Sequence, residues 1–288
     1  MKIIRIIISW GGFGDAVLVT PALRAIKKKK PGSYLIVYCP HKQIALFKRN
    51  PNIDLLIPLY FFNKPVFSPA YIFFPKFFRD NNLSRYPLEK VTTVSVRTTL
   101  GAFLGVRVTN EPLEISLSAK EDAWAVRLLS GYSQKKKVVI HITSDHSPNS
   151  HWKLERWNQL VAAHPDIDFI QLGLAKEEGV TNAIDLRGKT TLRQALSIIK
   201  HADSFVGIES FFAHVTNAFQ KRGVVLFMDA TPMLWGHQNN INMYKKLSCS
   251  PCFVTLDGYK CPYGQECAEH TVAEVSAALI RQLQVPQP

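Results

Sequence analysis

The chain has 288 residues, 47% of them apolar and 20% charged, and a formal charge of +13. That length allows one large or two medium domains with a sizeable core, and no apolar run approaches the ~20 residues of a membrane-spanning helix. The positive charge calls for an anionic partner or surface. No zinc-finger, RNP or basic-zipper signature is present, so nucleic acid is not the expected partner; a phosphorylated ligand, or an anionic membrane face touched peripherally, is.

The chain opens on a short β-branched run, Ile3 to Ile8, that reads as a buried strand. Gly11, Gly12 and Gly14 follow, a turn in which glycines are expected to take backbone angles closed to other residues. Ala16, Val17, Leu18, Ala22, Leu23 and Ile26 then recur at helical spacing, and the helix ends in four lysines that suit its negative C-terminal end. The N-terminus lacks the layout of a signal peptide, because its apolar run is a strand with a Gly-rich turn behind it; the expected location is cytoplasmic. Asp15 stands where turn becomes helix. Strand, glycine turn and helix form the first unit of a Rossmann-like sheet, whose ligands bind beyond the carboxyl ends of the strands. Asp15 is therefore either a cap on its own helix or a carboxylate at a ligand site.

Tyr34 to Cys39 reads as a second strand, Ile44 to Lys48 as part of a short helix, and Asn52 to Leu59 as a third strand. Tyr60 to Asp80 carries nine aromatics interrupted by Pro65, Pro69 and Pro75, which forbid one long helix. It reads as a core flap or, with Lys64, Lys76 and Arg79, as an aromatic and basic lip against lipid. Residues 81–120 carry little periodicity. A helix within Glu121 to Tyr132 is stopped by Gly131, and Lys137 to Ile142 opens a second sheet. A polar loop, Thr143 to Trp152, precedes a helix with the apolar stripe Leu154, Trp157, Leu160 and Val161. Strands at Asp168–Leu172, Ala183–Leu186, Ser204–Ile208 and Gly223–Met228 alternate with helices at Thr191–Lys200 and Phe211–Phe219, and a last helix spans Thr271–Leu283. The halves are residues 1–128 and 129–288, both α/β.

GDAVLVTPALRAIKKKKPGSYLIVYCP, from Gly14 onward, resembles the opening of glycosyltransferase family 9, the heptosyltransferases of lipopolysaccharide synthesis. The resemblance implies a GT-B fold, two Rossmann-like domains facing across a cleft, with acceptor on the first domain and nucleotide sugar on the second. It implies an inverting, metal-independent transferase in which Asp15 is the catalytic base and Gly12 and Gly14 shape the turn. ADP-heptose is the implied donor and a lipid-linked or core oligosaccharide the implied acceptor.

Downstream, GIESFFAHVTNAF resembles the family's Asp-x-Gly-x-x-His stretch, but Glu209 and Phe211 replace its first two marked residues while His214 is kept. Ser210 is expected to cap the helix, whose first-turn N–H groups then offer an anion site, with Glu209 and His214 beside it. In the Thr143 to Trp152 loop the resemblance implies donor contacts from Thr143 and Ser144. Ser150 stands where the family has a lysine, and Lys153 or His146 is left to supply that charge. Glu177 falls where the family places an acid for the ribose hydroxyls. Trp235 and Gly236 also match.

Cys249, Cys252, Cys261 and Cys267 lie in a Pro- and Gly-rich stretch that could form a structural zinc or iron site, or hold free thiols. A nicotinamide-dependent enzyme would need G-x-G-x-x-G and an acid ending the second strand; GGFGD and Cys39-Pro40 stand there instead. The remaining rival is a degenerate family member that binds or assembles without turnover.

Overall fold

A computed structural model describes residues 2–8, 12–59, 94–144, 149–252 and 261–285. The aromatic stretch Tyr60 to Asp80, Gly11 and His146 fall outside the described residues. The chain divides into two compact units, Met1–Ser116 and Leu117–Pro288. The division precedes the helix Ala119–Ser130 instead of falling after residue 128, because that helix is bound to the second unit by the ion pairs described below.

In the first unit, β1 (Ile3–Ile7), β2 (Tyr34–Pro40) and β3 (Leu55–Leu59) form a parallel sheet in the order β1-β2-β3. The helix expected after β1 is two: α1 (Phe13–Leu18) and α2 (Thr20–Lys29), separated at Val19. Pro21 explains the break, since it has no N–H to continue the first helix but suits the first turn of a new one. Short α3 (Ile44–Phe47) joins β2 to β3, and α4 (Val96–Phe103) packs on α2. Lys27 Nζ lies 2.6 Å from Asp54, whose carboxylate also accepts the N–H of Leu35, fixing the start of β2.

The second unit carries a wholly parallel sheet, with the order β6-β5-β4-β7-β8-β9 among the described residues. Its strands are β4 (Lys136–His141), β5 (Ile167–Gln171), β6 (Ile184–Asp185), β7 (Ser204–Ile208), β8 (Gly223–Phe227) and β9 (Ile241–Tyr244). β9 escaped the sequence reading because it is only half-buried and lacks a continuous apolar run. The helices are α5 (Ala119–Ser130), α6 (Leu154–Ala162), α7 (Leu192–His201), α8 (Phe211–Ala218), the single turn α9 (Pro232–Trp235) and α10 (Val272–Gln284). Strands β7 and β8 are buried along their whole length, as a parallel sheet with covered faces demands.

Packing explains both ends of this unit. On one face, α10 and α6 cover the sheet through Leu160, Val275 and Leu279, with Trp152 and Trp157 completely buried beneath them. The Trp152 indole is not left unsatisfied: its N–H donates to the His270 carbonyl at 2.9 Å. Elsewhere α5 lies along α7. Glu121 takes a fork of two 2.7 Å bonds from Arg193, and Asp122 meets Lys200 at 2.8 Å and His201 at 2.9 Å. The Arg193 fork outweighs partial burial and holds the Glu121 carboxyl well below its ordinary range.

Sheet order positions the site. From β4 the chain winds outward through β5 and β6, then returns to β7 on the other side of β4 and winds outward through β8 and β9. The direction of winding reverses between β4 and β7, so the helices following them leave from opposite faces and open a crevice at the strands' carboxyl ends. His141, the last residue of β4, pairs in register with Gly207 of β7. A Cβ on Gly207 would meet the His141 carbonyl oxygen at 2.8 Å and the Phe205 ring at 2.4 Å, so only glycine allows this approach.

Candidate functional site

The polar side chains of the second unit gather at this switch point. His141 ends β4, Glu209 and Ser210 follow β7, Thr143 and Ser144 follow β4, and Glu177 lies on the loop after β5. Ser210 takes the extended backbone of a helix N-cap, yet its side chain makes no capping bond. Its Oγ is instead 3.0 Å from His141 Nδ1. The expected cap is therefore corrected: β4 lies close enough for its terminal imidazole to capture the hydroxyl. The His141 ring is also held edge-on against Phe212, with centroids 4.8 Å apart.

On its far side His141 meets Glu177, with Nε2 3.9 Å from Oε2 and both side chains largely buried. The loop that presents Glu177 is tied to buried Gln171, which donates to the Glu178 carbonyl at 2.7 Å and accepts the Val180 N–H at 2.8 Å. Glu177 Oε1 accepts the Leu174 N–H at 2.9 Å, while Oε2 is buried and makes no hydrogen bond. Gly173, at φ +153°, makes room for this carboxylate: a Cβ there would lie 2.1 Å from Oε2. Glu177 is thus turned inward to His141.

A second polar chain lies beside the first. Glu209 Oε1 is 3.5 Å from His214 Nε2, and His214 Nδ1 is 2.8 Å from His237 Nε2. His214 and His237 are 3% and 2% exposed, so His214 is packed inside the unit with both ring nitrogens engaged. An imidazole held in this way lies against Glu209. The exposed Lys153 side chain has its ammonium 3.6 Å from Glu269, which also pairs with Arg156. The structure therefore brings together Glu177, Glu209, Ser210 and His214 with the start of the Thr143–Ser144 loop, while Lys153 lies near Glu269.

Two residues of this site escaped the sequence reading, His141 and His237. His141 had a signal: an imidazole closing an apolar strand at its carboxyl end, where open α/β sheets bind ligands. His237 follows Trp235-Gly236, and nothing in its spacing pointed to His214.

In the first unit, Asp15 is the third residue of α1, and its Oδ2 accepts the Gly12 N–H at 2.8 Å on an exposed part of the turn. Gly12 has φ −80° and ψ −169°, extended angles open to any residue, and Gly14 is helical. The glycine-only angles expected there are not used at either position. Gly12 instead gives its amide to Asp15.

The four cysteines flank residues 253–260, which lie outside the described residues. Cys252 and Cys267 are buried, Cys249 and Cys261 half-buried, and none of the four is in a disulfide. Among the described residues, no three His, Cys, Asp or Glu side chains converge to hold a metal ion. Burial, then the charges of the neighbouring cysteines and Asp229, pushes the Cys267 thiol up to about 11, and burial raises Cys252 in the same way.

Comparison with known proteins fits this geometry. The sequence profile of glycosyltransferase family 9 (heptosyltransferase) matches residues 80–262. Comparison with curated proteins returns no match. Among solved structures, the family 9 glycosyl transferase of Veillonella parvula is similar with a TM-score of 0.75, at 16% identity and with 97% of each chain covered. The E. coli ADP-heptose lps heptosyltransferase II gives 0.72 at 18% identity, covering 98% of each chain. The dodecameric iron-containing heptosyltransferase TibC, in complex with ADP-D-β-D-heptose, gives 0.69 at 16% identity, covering 98% of this chain and 77% of that one. These likenesses share the GT-B class of fold, two α/β units with parallel sheets. The profile match extends over well more than half of the sequence, and on that ground the chain belongs to glycosyltransferase family 9.

Proposed function

We propose that the protein transfers a sugar, with inversion, from a nucleoside-diphosphate donor to a hydroxyl of a glycan acceptor. The observation that carries this reading is the set of side chains at the β4/β7 switch point, in a chain that belongs to this family. A diphosphate is received at the start of α8, where the backbone N–H groups and the helix dipole stabilise the charge that develops as it leaves. Ser210, Thr143 and Ser144 contact it there, and Glu209, braced by His214, orients the sugar hydroxyls. Glu177 serves the ribose end from behind, through the residues it holds in place. No step calls on a metal.

Asp15 of the first unit takes the proton from the acceptor hydroxyl as that oxygen bonds to the anomeric carbon and the bond to the diphosphate breaks. A carboxylate that accepts one N–H keeps lone pairs for this, and it need take the proton only as the new bond forms. ADP-heptose is the proposed donor, since TibC is described with ADP-D-β-D-heptose. A lipopolysaccharide core sugar or a related lipid-linked glycan is the proposed acceptor. The formal charge of +13 suits a protein that meets such a glycolipid at an anionic membrane face. Among the described residues no helix is long and apolar enough to cross a membrane.

A second reading, a binding or assembly subunit without turnover, is favoured by two observations: the Asp15 carboxylate already accepts an N–H, and Phe211 stands in place of a glycine. Incubating the protein with a panel of nucleotide sugars and acceptor glycans separates the two. The transferase reading predicts release of free nucleoside diphosphate that depends on acceptor and falls steeply in Asp15→Asn. Binding without release would favour the second.

A further inference from the structure

His141 connects Glu177 to Ser210, and neither the family's motif nor the sequence pattern assigns it a role. Its environment is unusual for a neutral imidazole. One nitrogen faces a buried carboxylate oxygen that makes no hydrogen bond, and the other is within bonding distance of a hydroxyl at the start of α8. A buried carboxylate without a positive partner is costly. Arg187 is a cation near Glu177, but its guanidinium is bound to Asp185 at 2.8 and 3.0 Å and to the Glu177 backbone carbonyl. Among the described residues the ring also packs on the uncharged Phe212, and the Glu209 carboxylate lies beside His214.

We infer that His141 is the cation of the diphosphate site, and that it takes up a proton as the nucleotide sugar binds. As an imidazolium it donates Nε2–H toward Glu177 and Nδ1–H to Ser210 Oγ. The Ser210 hydroxyl proton is then turned away from the ring, toward a phosphate oxygen at the start of α8. In the neutral ring, ionised Glu177 keeps the single proton on Nε2, so Nδ1 accepts from Ser210 and draws that hydroxyl away from an anion. Protonation thus reverses the direction of the Ser210 bond, from acceptor-facing to ligand-donating. His141 has a carboxylate on one side and a ligand hydroxyl on the other. This inference rests on donor binding at the switch point.

ADP-ribose is a suitable probe, because its diphosphate is esterified at both ends and keeps its charge across the neutral range. Calorimetry in two buffers of different ionisation enthalpy should show net uptake of close to one proton per ADP-ribose bound near pH 7.5. Affinity should fall about tenfold between pH 6 and pH 8. In His141→Asn, whose amide imitates Nδ1 and keeps the Ser210 contact, the fall should flatten to less than about twofold. Glu177→Gln should weaken the dependence in the same direction. Wild-type binding with no proton uptake, or a slope that persists undiminished in His141→Asn, would overturn the inference while leaving donor binding intact. A protein that binds no ADP-ribose at any pH would overturn the donor-site reading, and this inference with it.

Discussion

Two strand-turn-helix joins of this molecule begin alike and end differently. After β1, the acidic side chain of the first helical turn, Asp15, bonds back to the Gly12 N–H and closes the turn on itself. After β7, Ser210 has the backbone of a cap but gives its side chain to His141 of the neighbouring strand. The first join keeps its polar side chain within its own turn. The second gives its polar side chain to a neighbouring strand, at the point of the described sheet where the winding reverses.

The largest expected effect comes from the first join. Asp15→Asn keeps the size of the side chain and an oxygen for the Gly12 N–H but removes the base. Turnover should fall by about 10²–10⁴-fold with little change in donor affinity, as read by nucleotide release and by binding in parallel. A fall in affinity with turnover intact would place Asp15 among structural caps. Ser210→Ala tests the second join. Losing one hydrogen bond to a charged group should weaken ADP-ribose by about 10–100-fold, while the melting temperature changes little because the hydroxyl does not cap α8. A stability loss typical of a removed cap, without an affinity change, would make the two joins equivalent.

Smaller effects sharpen the same contrast. Gly173→Ala forces a Cβ onto the Glu177 carboxylate at a backbone angle that side chains rarely adopt. It should cost about 1–3 kcal/mol and weaken ADP-ribose together with stability, since the displaced carboxylate no longer holds His141. The smallest effect lies away from either join. Glu121→Gln removes the charge facing Arg193 and should lower the unfolding temperature of the second unit by roughly 2–8 °C at pH 7, without loss of binding. Because the folded carboxyl titrates below its unfolded value, its contribution is complete above the ordinary glutamate range and drains away as the pH falls toward the folded value. Wild type and variant should therefore converge in acid.

The architecture was readable because each strand of the second unit is a short apolar run and each helix carries a periodic stripe. Ser204–Ile208 and its following helix are bounded in the structure almost where the pattern put them. The break at Val19 was harder to see, because the apolar residues on both sides of it keep helical spacing, and the signal was Pro21 alone. Side-chain commitments were not readable. The sequence places Lys153 and His214 near a ligand, but Glu269 and His237, distant in the chain, engage them. Whether Ser210 caps its own helix depends on how closely β4 approaches β7, a property of strand order and of Gly207, which no local pattern records.

Hydrogen exchange of the intact protein, with and without ADP-ribose, tests most directly the claim that the nucleotide sits at the reversal of the second sheet. Slowed exchange at the start of α8 and in the segment after β4, with the α1 turn unchanged, is the predicted result. Protection confined to the first unit, or ligand binding that leaves Gly207 to His214 exchanging as before, would contradict it.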